Sequence, residues 1–238
     1  MSERAVVLTG GRGTRLQPYT VVLPKPLMPL GDVPILEVLI RQLARYGFKR
    51  VTLAVNHQAD IIRAFFGDGG KWNLQIDYSF ESEPLSTIAP LRLIKDLPED
   101  FLLLNGDVLT DLNFAKLYEE HVRASRLFTI AGTSRQQHVD YGVLNIDRFA
   151  NLIGFSEKPV LNYLVSMGIY AVNREVLSLI PSNGKYGVDD LIANLLMIGK
   201  KIYVRPHEGY WLDIGRPDDY LQAAKEFERH RESFLGHD

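Results

Sequence analysis

The chain has 238 residues, of which 46% are hydrophobic and 24% charged, with a formal net charge of −2 and no cysteine. This composition suits a one-domain globular protein with a sizeable core and excludes a disulfide framework or a cysteine metal site. The small net charge makes no general case for nucleic acid or an anionic membrane, and there is no apolar leader or membrane-length apolar run, so a cytoplasmic location is expected.

In chain order, short apolar runs alternate with amphipathic stretches. The spacing predicts a strand over 5–9, a helix over 34–46, a strand over 50–55, a helix over 58–66, a strand over 74–78 and a helix over 87–95. It then predicts a strand over 101–104, a helix over 113–124 and strands over 127–132, 142–146 and 165–172. Helices over 174–180 and 188–198, a strand over 201–205 and a helix over 217–231 complete the series. Clean β/α alternation in the first half argues for a parallel sheet with crossover helices, and the strand-rich second half for a mixed sheet. The fold class is therefore α/β. The segment 160–166 reads as irregular and the polar tail 232–238 as frayed.

The densest signal is Leu8-Thr-Gly-Gly-Arg-Gly-Thr-Arg-Leu16, followed by Leu23-Pro-Lys-Pro-Leu27. Glycines let backbone N–H groups approach an anion, and Arg12, Arg15 and Lys25 supply local positive charge. A first strand ending in such a loop is where an open α/β sheet binds a nucleotide. The loop lacks the Gly-Lys-Ser/Thr ending of a P-loop and the Gly-x-Gly-x-x-Gly spacing of a dinucleotide site. Further signals sit where strands end. They are Asn105-Gly-Asp107, Tyr141-Gly-Val143, Glu157-Lys-Pro159, Met167-Gly-Ile-Tyr170 and Trp211-Leu-Asp-Ile-Gly215. Asp107 and Asp213, if the fold brings them together, form a hard-oxygen pair suited to Mg²⁺. The six histidines show no ligand spacing; His207 and Tyr210 read as packing or surface residues.

Taken in order, these motifs resemble the sugar-1-phosphate nucleotidylyltransferases, or NDP-sugar pyrophosphorylases, over residues 5 to about 225, nearest in feel to mannose-1-phosphate guanylyltransferases. The resemblance implies a Rossmann-like three-layer sandwich, the nucleotide-diphospho-sugar transferase fold, as a single domain over 1–238. Residues 1–125 would be its nucleotide-binding half and 126–238 its sugar-phosphate half. It implies transfer of a nucleotidyl group from an NTP to a sugar-1-phosphate, with pyrophosphate leaving. In these terms Arg15 and Lys25 are the catalytic cations. Leu8, Gly10, Gly11, Gly13, Thr14, Asn56, Glu83 and Thr87 bind the nucleotide. Gly142, Glu157, Lys158 and Gly168 bind the sugar phosphate, and Asp107 and Asp213 hold Mg²⁺.

The segment Glu83-Pro-Leu-Ser-Thr-Ile-Ala-Pro-Leu91 departs from the pattern. Ser86 and Ala89 stand where glycines are common and Ile88 where alanine is common, which narrows the expected base pocket. Glu83, an acceptor-only group, matches the two adjacent N–H donors of guanine, so GTP is favoured; a helix-capping role for it is the alternative. UTP, dTTP or CTP, a cyclitol phosphate or phosphocholine acceptor, and a non-catalytic nucleotide-sugar binder stay open. Oligomeric state is left open, with 160–166 and the C-terminal helix as the segments that could form a homodimer interface. The Asp107/Asp111 spacing does not suit the Asp-x-Asp of a glycosyltransferase.

Overall fold

The computed structural model describes residues 3–11, 13–56 and 58–236. Arg12, His57 and His237 lie outside the described residues. In chain order the elements are β1 (Arg4–Leu8), β2 (Pro29–Leu30), β3 (Val33–Pro34), α1 (Ile35–Arg45), β4 (Arg50–Val55), α2 (Ala59–Phe66) and β5 (Gln75–Phe80). Next come β6 (Asp100–Asn105), β7 (Val108–Thr110), α3 (Phe114–Arg123), β8 (Phe128–His138), β9 (Val143–Ile146) and β10 (Leu152–Ser156). The chain finishes with β11 (Val160–Asn173), α4 (Val188–Met197), β12 (Ile202–His207), β13 (Trp211–Asp213), α5 (Pro217–Arg229) and α6 (Arg231–Leu235).

A seven-stranded sheet runs in the order β12-β8-β11-β6-β1-β4-β5. Every neighbouring pair is parallel except those made by β11, which runs against β6 and β8. The strands are apolar on both faces because both faces are covered. In β1, Ala5 and Val7 join one core beneath α1, α2 and α3, while Val6 joins the other beneath α4. In β6, Leu102 and Leu104 face the first core and Phe101 and Leu103 the second. These two cores, one on each side of the sheet, make the three layers. A third cluster, outside the sheet, packs Leu16, Met28, Leu30 and Leu212 under α5 and α6.

Four predicted features differ. The helix expected over 174–180 is a 3-10 helix, Arg174–Leu179. The helix expected over 87–95 is a short 3-10 turn, Ala89–Leu93. Pro90 supplies no N–H at its start, and Ile88, Ala89 and Leu91 point into the core. The segment 160–166 is not irregular. It pairs residue by residue with the end of β8, from Val160 opposite His138 to Ser166 opposite Gly132, before a bulge ahead of Tyr170. The tail does not fray at 232: α6 continues to Leu235 and buries Phe234, whose ring stacks on Phe227 at 6.1 Å and meets Tyr210 edge-on at 5.5 Å. Polar composition hid this, because one buried ring anchors an otherwise charged segment. Strands β7, β10 and β13 are too short for periodicity to reveal. Among the described residues no helix is long and apolar enough to cross a membrane.

Phe234 is 1% exposed. Replacing it with alanine should lower the unfolding free energy by about 3 kcal/mol, as large-to-small changes in aromatic cores do. Urea denaturation of Phe234→Ala reads this directly, and a loss below about 1 kcal/mol would show that α6 is not anchored by its ring.

Candidate functional site

The parallel strands β1 and β6 end side by side, and their carboxyl ends open into a cleft, as they do in open α/β sheets. Gly106 sets the spacing there. Its N–H donates to the Leu8 carbonyl at 2.9 Å. A Cβ at this position would lie 2.8 Å from that same oxygen and 2.9 Å from Thr9 Cγ2, so only glycine lets the two strand ends approach this closely. The next residue, Asp107, is thereby delivered to the cleft floor. The cleft holds about 310 Å³ and is lined by Leu8, Gly10, Gly11, Glu81, Pro84, Ser86, Thr87, Asn105 and Asp107.

Lys25 is buried and forms an ion pair with Asp107 Oδ2. It reaches that point because Pro24 and Pro26 set a 3-10 turn, Lys25–Leu27, whose residues are all buried. The other carboxylate oxygen, Asp107 Oδ1, is buried without a hydrogen-bond partner among the described residues. Asp213 arrives from the far end of the chain. The β7–β13 ladder places it opposite Val108, and the Ile214 N–H donates to the Asp107 carbonyl at 2.9 Å. Burial pushes the Asp213 carboxyl above its ordinary pKa, and the Asp107 charge pushes it further, against the pull of Lys25 and Arg15. Arg15 stands over Gly215, where a Cβ would lie 3.4 Å from both Arg15 Nη1 and Asp213 Oδ2.

Two carboxylates and two cations thus converge, as the sequence reading requires. Among the described residues no group of three or more His, Asp or Glu gathers in a way that could hold a metal ion. Asp107 and Asp213 are a two-carboxylate set with one oxygen unpartnered. That fits a hard cation which keeps water and takes its remaining ligands from phosphate.

Leu8, Gly10, Gly11 and Thr87 line the cleft as expected. The Thr87 hydroxyl is already engaged, accepting from the Val188 N–H at 2.8 Å. Asn56 sits behind the lining: its side-chain amide donates to the Glu81 carbonyl at 3.1 Å, and its Cβ lies 3.3 Å from the Cβ position of Gly10. Gly13 is left-handed, at φ 62, and opens the 3-10 turn Thr14–Leu16; neither Gly13 nor Thr14 lines the cleft.

Glu83 is exposed and outside the lining, and no side chain caps the 3-10 turn Ala89–Leu93 that follows it. The carboxylate the cleft presents is Glu81, two residues earlier. Burial raises its pKa, and its Oε2 accepts from the Leu85 N–H at 3.2 Å. Sequence spacing could not separate two glutamates flanking one serine; Glu81 is held beside the sheet by its N–H, which donates to the Val55 carbonyl at 2.9 Å, while Glu83 lies in the exposed loop beyond it. Of the three replacements in this segment, only Ser86 lines the cleft. Ile88 and Ala89 are fully buried in the core and do not narrow it. Asn105 also lines the cleft; it stands in the Asn105-Gly-Asp107 motif, but the sequence reading gave it no role. It backs the left-handed Gly168, whose Cβ position lies 2.5 Å from Asn105 Nδ2.

Gly142, Glu157 and Lys158 lie apart from the cleft lining, at the base of the β9–β10 ribbon. Gly142 faces Glu157, with the carboxylate 3.2 Å from its Cβ position, and Lys158 adopts φ 44. Trp211 is fixed by its indole N–H, which donates to the Met167 carbonyl at 2.8 Å. His207 pairs with Asp111 at 2.9 Å. Tyr210 is held by burial at a pKa of about 12; both are packing residues.

The nucleotidyl transferase family matches residues 4–230 of the chain. A UTP–glucose-1-phosphate uridylyltransferase from Synechocystis is 31% identical over 242 residues, covering 93% of this chain and 62% of that protein. A mannose-1-phosphate guanyltransferase from Yarrowia lipolytica is 34% identical over 235 residues, covering 93% and 63% respectively. The chain therefore spans less than two thirds of the length of these curated relatives. Among solved structures, HddC from Yersinia pseudotuberculosis complexed with GMP-PN superposes with a TM-score of 0.72 at 25% identity, covering 94% of this chain and 99% of that one.

The strained charge of Asp213 has a measurable consequence. Its pKa is higher folded than unfolded, so its stabilising contribution is complete below the unfolded value, near 4, and is lost as pH rises through the folded value. Asp213→Asn should therefore melt higher than the parent at pH 7, with the gain fading below about pH 4. Calorimetric melts across pH 3–8 test this, and a lower melting temperature at pH 7 would contradict it.

Proposed function

The chain belongs to the nucleotidyl transferase family, and from that premise we propose that it transfers a nucleotidyl group from an NTP to a sugar-1-phosphate. The products are an NDP-sugar and pyrophosphate. The observation that carries this reading is the pair of buried Lys25 with half-buried Asp107, flanked by Asp213 and Arg15, at the end of a glycine-rich strand loop. In-line phosphoryl chemistry needs positioning and charge neutralisation rather than a protein nucleophile, and these residues offer both.

In this reading the triphosphate lies along Gly10, Gly11 and Gly13, whose backbone N–H groups receive its oxygens. Arg15 holds the β and γ phosphates. Lys25 meets the α-phosphate, where negative charge gathers in the transition state. A phosphate oxygen of the sugar attacks the α-phosphorus, and the bond to the β-phosphate oxygen breaks as pyrophosphate departs. Asp107 and Asp213 would hold Mg²⁺, which when bound polarises the α-phosphate and neutralises charge on both substrates. The unpartnered Asp107 Oδ1 is the group best placed for that role. Lys158 and Glu157 receive the sugar phosphate and ring, with the backbone at Gly142 and Gly168 allowing close approach. Residues 1–125 then serve the nucleotide and 126–238 the sugar, in a cytoplasmic enzyme.

Guanine is the favoured base, and Glu81 takes the role first assigned to Glu83. A carboxylate accepts the adjacent N1–H and N2–H of guanine, whereas the single N–H of thymine or uracil is flanked by carbonyl oxygens that repel it. The guanyltransferase relative and the GMP-PN complex support the same choice.

The test is pyrophosphate release with Mg²⁺ across four NTPs, each crossed with hexose-, aminohexose- and heptose-1-phosphates. Release with GTP and one sugar phosphate is the expected result; silence across the panel would overturn the reading. Lys25→Ala and Arg15→Ala should each lower kcat/KM by about 100-fold or more, as loss of a transition-state charge contact does. Asp107→Asn should abolish Mg²⁺-dependent turnover. Glu81→Gln should lower the GTP-to-UTP preference by about ten-fold, the worth of one charge-assisted hydrogen bond, and an unchanged ratio would remove Glu81 from base recognition.

A further inference from the structure

Ser86 occupies a backbone conformation that serine rarely takes. Its φ is +75, in the left-handed region where a Cβ is crowded by the backbone, and it lines the cleft. Glycine would adopt that conformation without strain. A strained residue persists only where the surrounding structure over-determines it, and such residues cluster at functional sites.

The surrounding structure does hold it. On one side, the Leu85 carbonyl accepts from the Tyr186 N–H at 3.1 Å, and the Leu85 N–H donates to Glu81. On the other, Thr87 Oγ1 accepts from Val188, and the Ile88 and Ala89 N–H groups both donate to the Tyr186 carbonyl at 3.0 Å. Leu85, Ile88 and Ala89 are buried beside them. The backbone is therefore clamped on both flanks of Ser86 against Tyr186–Val188. Its side chain, by contrast, is exposed to the cleft, and its hydroxyl has no hydrogen-bond partner among the described residues. The fold requires the turn; among the described residues nothing uses the hydroxyl.

We propose that Ser86 is a specificity-determining residue whose hydroxyl hydrogen-bonds the polar edge of the nucleotide base, donating to a ring carbonyl while the Glu81 carboxylate takes the neighbouring N–H. This rests on the nucleotide reading of the cleft given above. Both groups line the same small cavity, and together they present one donor for guanine O6 and one acceptor-only group for its adjacent N1–H and N2–H. The Thr87 hydroxyl oxygen is occupied by Val188, so Ser86 is the side-chain hydroxyl on this wall with a free oxygen.

The test uses Ser86→Ala, which keeps the Cβ and removes the hydroxyl, and Ser86→Gly, which removes both. For each full-length variant, the affinity for each of the four NTPs is measured by calorimetry without sugar phosphate, alongside KM, kcat and melting temperature. Both variants should bind GTP about five-fold more weakly, the net worth of one hydrogen bond. KM for the sugar phosphate and kcat should stay within about two-fold, and only the glycine variant should melt higher than the parent. Unchanged GTP affinity in both variants overturns the proposal, as does a loss in Ser86→Gly alone, which would trace to the backbone. A parent protein that binds no NTP and releases no pyrophosphate overturns the nucleotide reading itself.

Discussion

Removing an ammonium and a carboxylate from water together ties this cleft to the rest of the molecule. Lys25 comes from the proline-flanked turn after β1, and Asp107 from the link between β6 and β7. Lys25 is buried, where an unpaired charge costs far more than an exposed one, and the half-buried Asp107 at the cleft floor is its partner. Their pairing joins two segments more than 80 residues apart in sequence. Around it, Gly106 lets β6 close on β1, and the β7–β13 ladder carries Asp213 in from the far end of the chain. The result is a cleft with more acid than its size comfortably holds. Asp107 keeps one oxygen unpartnered and Asp213 resists ionisation. A protein built for stability alone would pair these groups or replace them. One built to meet a polyphosphate and a divalent cation leaves them for the ligand to complete.

The same division between scaffold and site is visible in the backbone. Among the non-glycine residues with positive φ are Ser86 in the cleft wall and Lys158 at the base of the ribbon. Both fall in segments that the family resemblance associates with substrate. Strain of this kind costs on the order of 1–3 kcal/mol per residue. The three-layer core, with β1 and β6 buried on both faces, is large enough to absorb it. The ribbon is different: β9 and β10 pair only with each other, and Leu144, Ile146, Ile153 and Phe155 are largely exposed. The segment proposed to meet the sugar would thus be carried by a thinner element than the one proposed to meet the nucleotide.

What the sequence determined by itself was the class of fold, the order of the main elements and the glycine-rich loop that lines the cleft. Short continuous apolar runs such as Phe101-Leu-Leu-Leu104, closed by Asn105-Gly106, suit strands covered on both faces, and the glycine and proline spacing around Arg15 and Lys25 dictates loop geometry locally. What only the tertiary structure decided were the properties that depend on which way a side chain turns and what meets it. Glu81 rather than Glu83 faces the cleft because Glu81 is tied at both ends, its N–H to the Val55 carbonyl and its carboxylate to the Leu85 N–H, while Glu83 lies exposed in the loop between. Ile88 and Ala89 enter the core because the 85–89 segment is clamped to Tyr186. The β7–β13 ladder, only three residues on each strand, brings the two aspartates together, and α6 stays folded because a single ring finds Phe227 and Tyr210. Each of these turns on contacts between residues distant in the chain, and local periodicity carries no record of them.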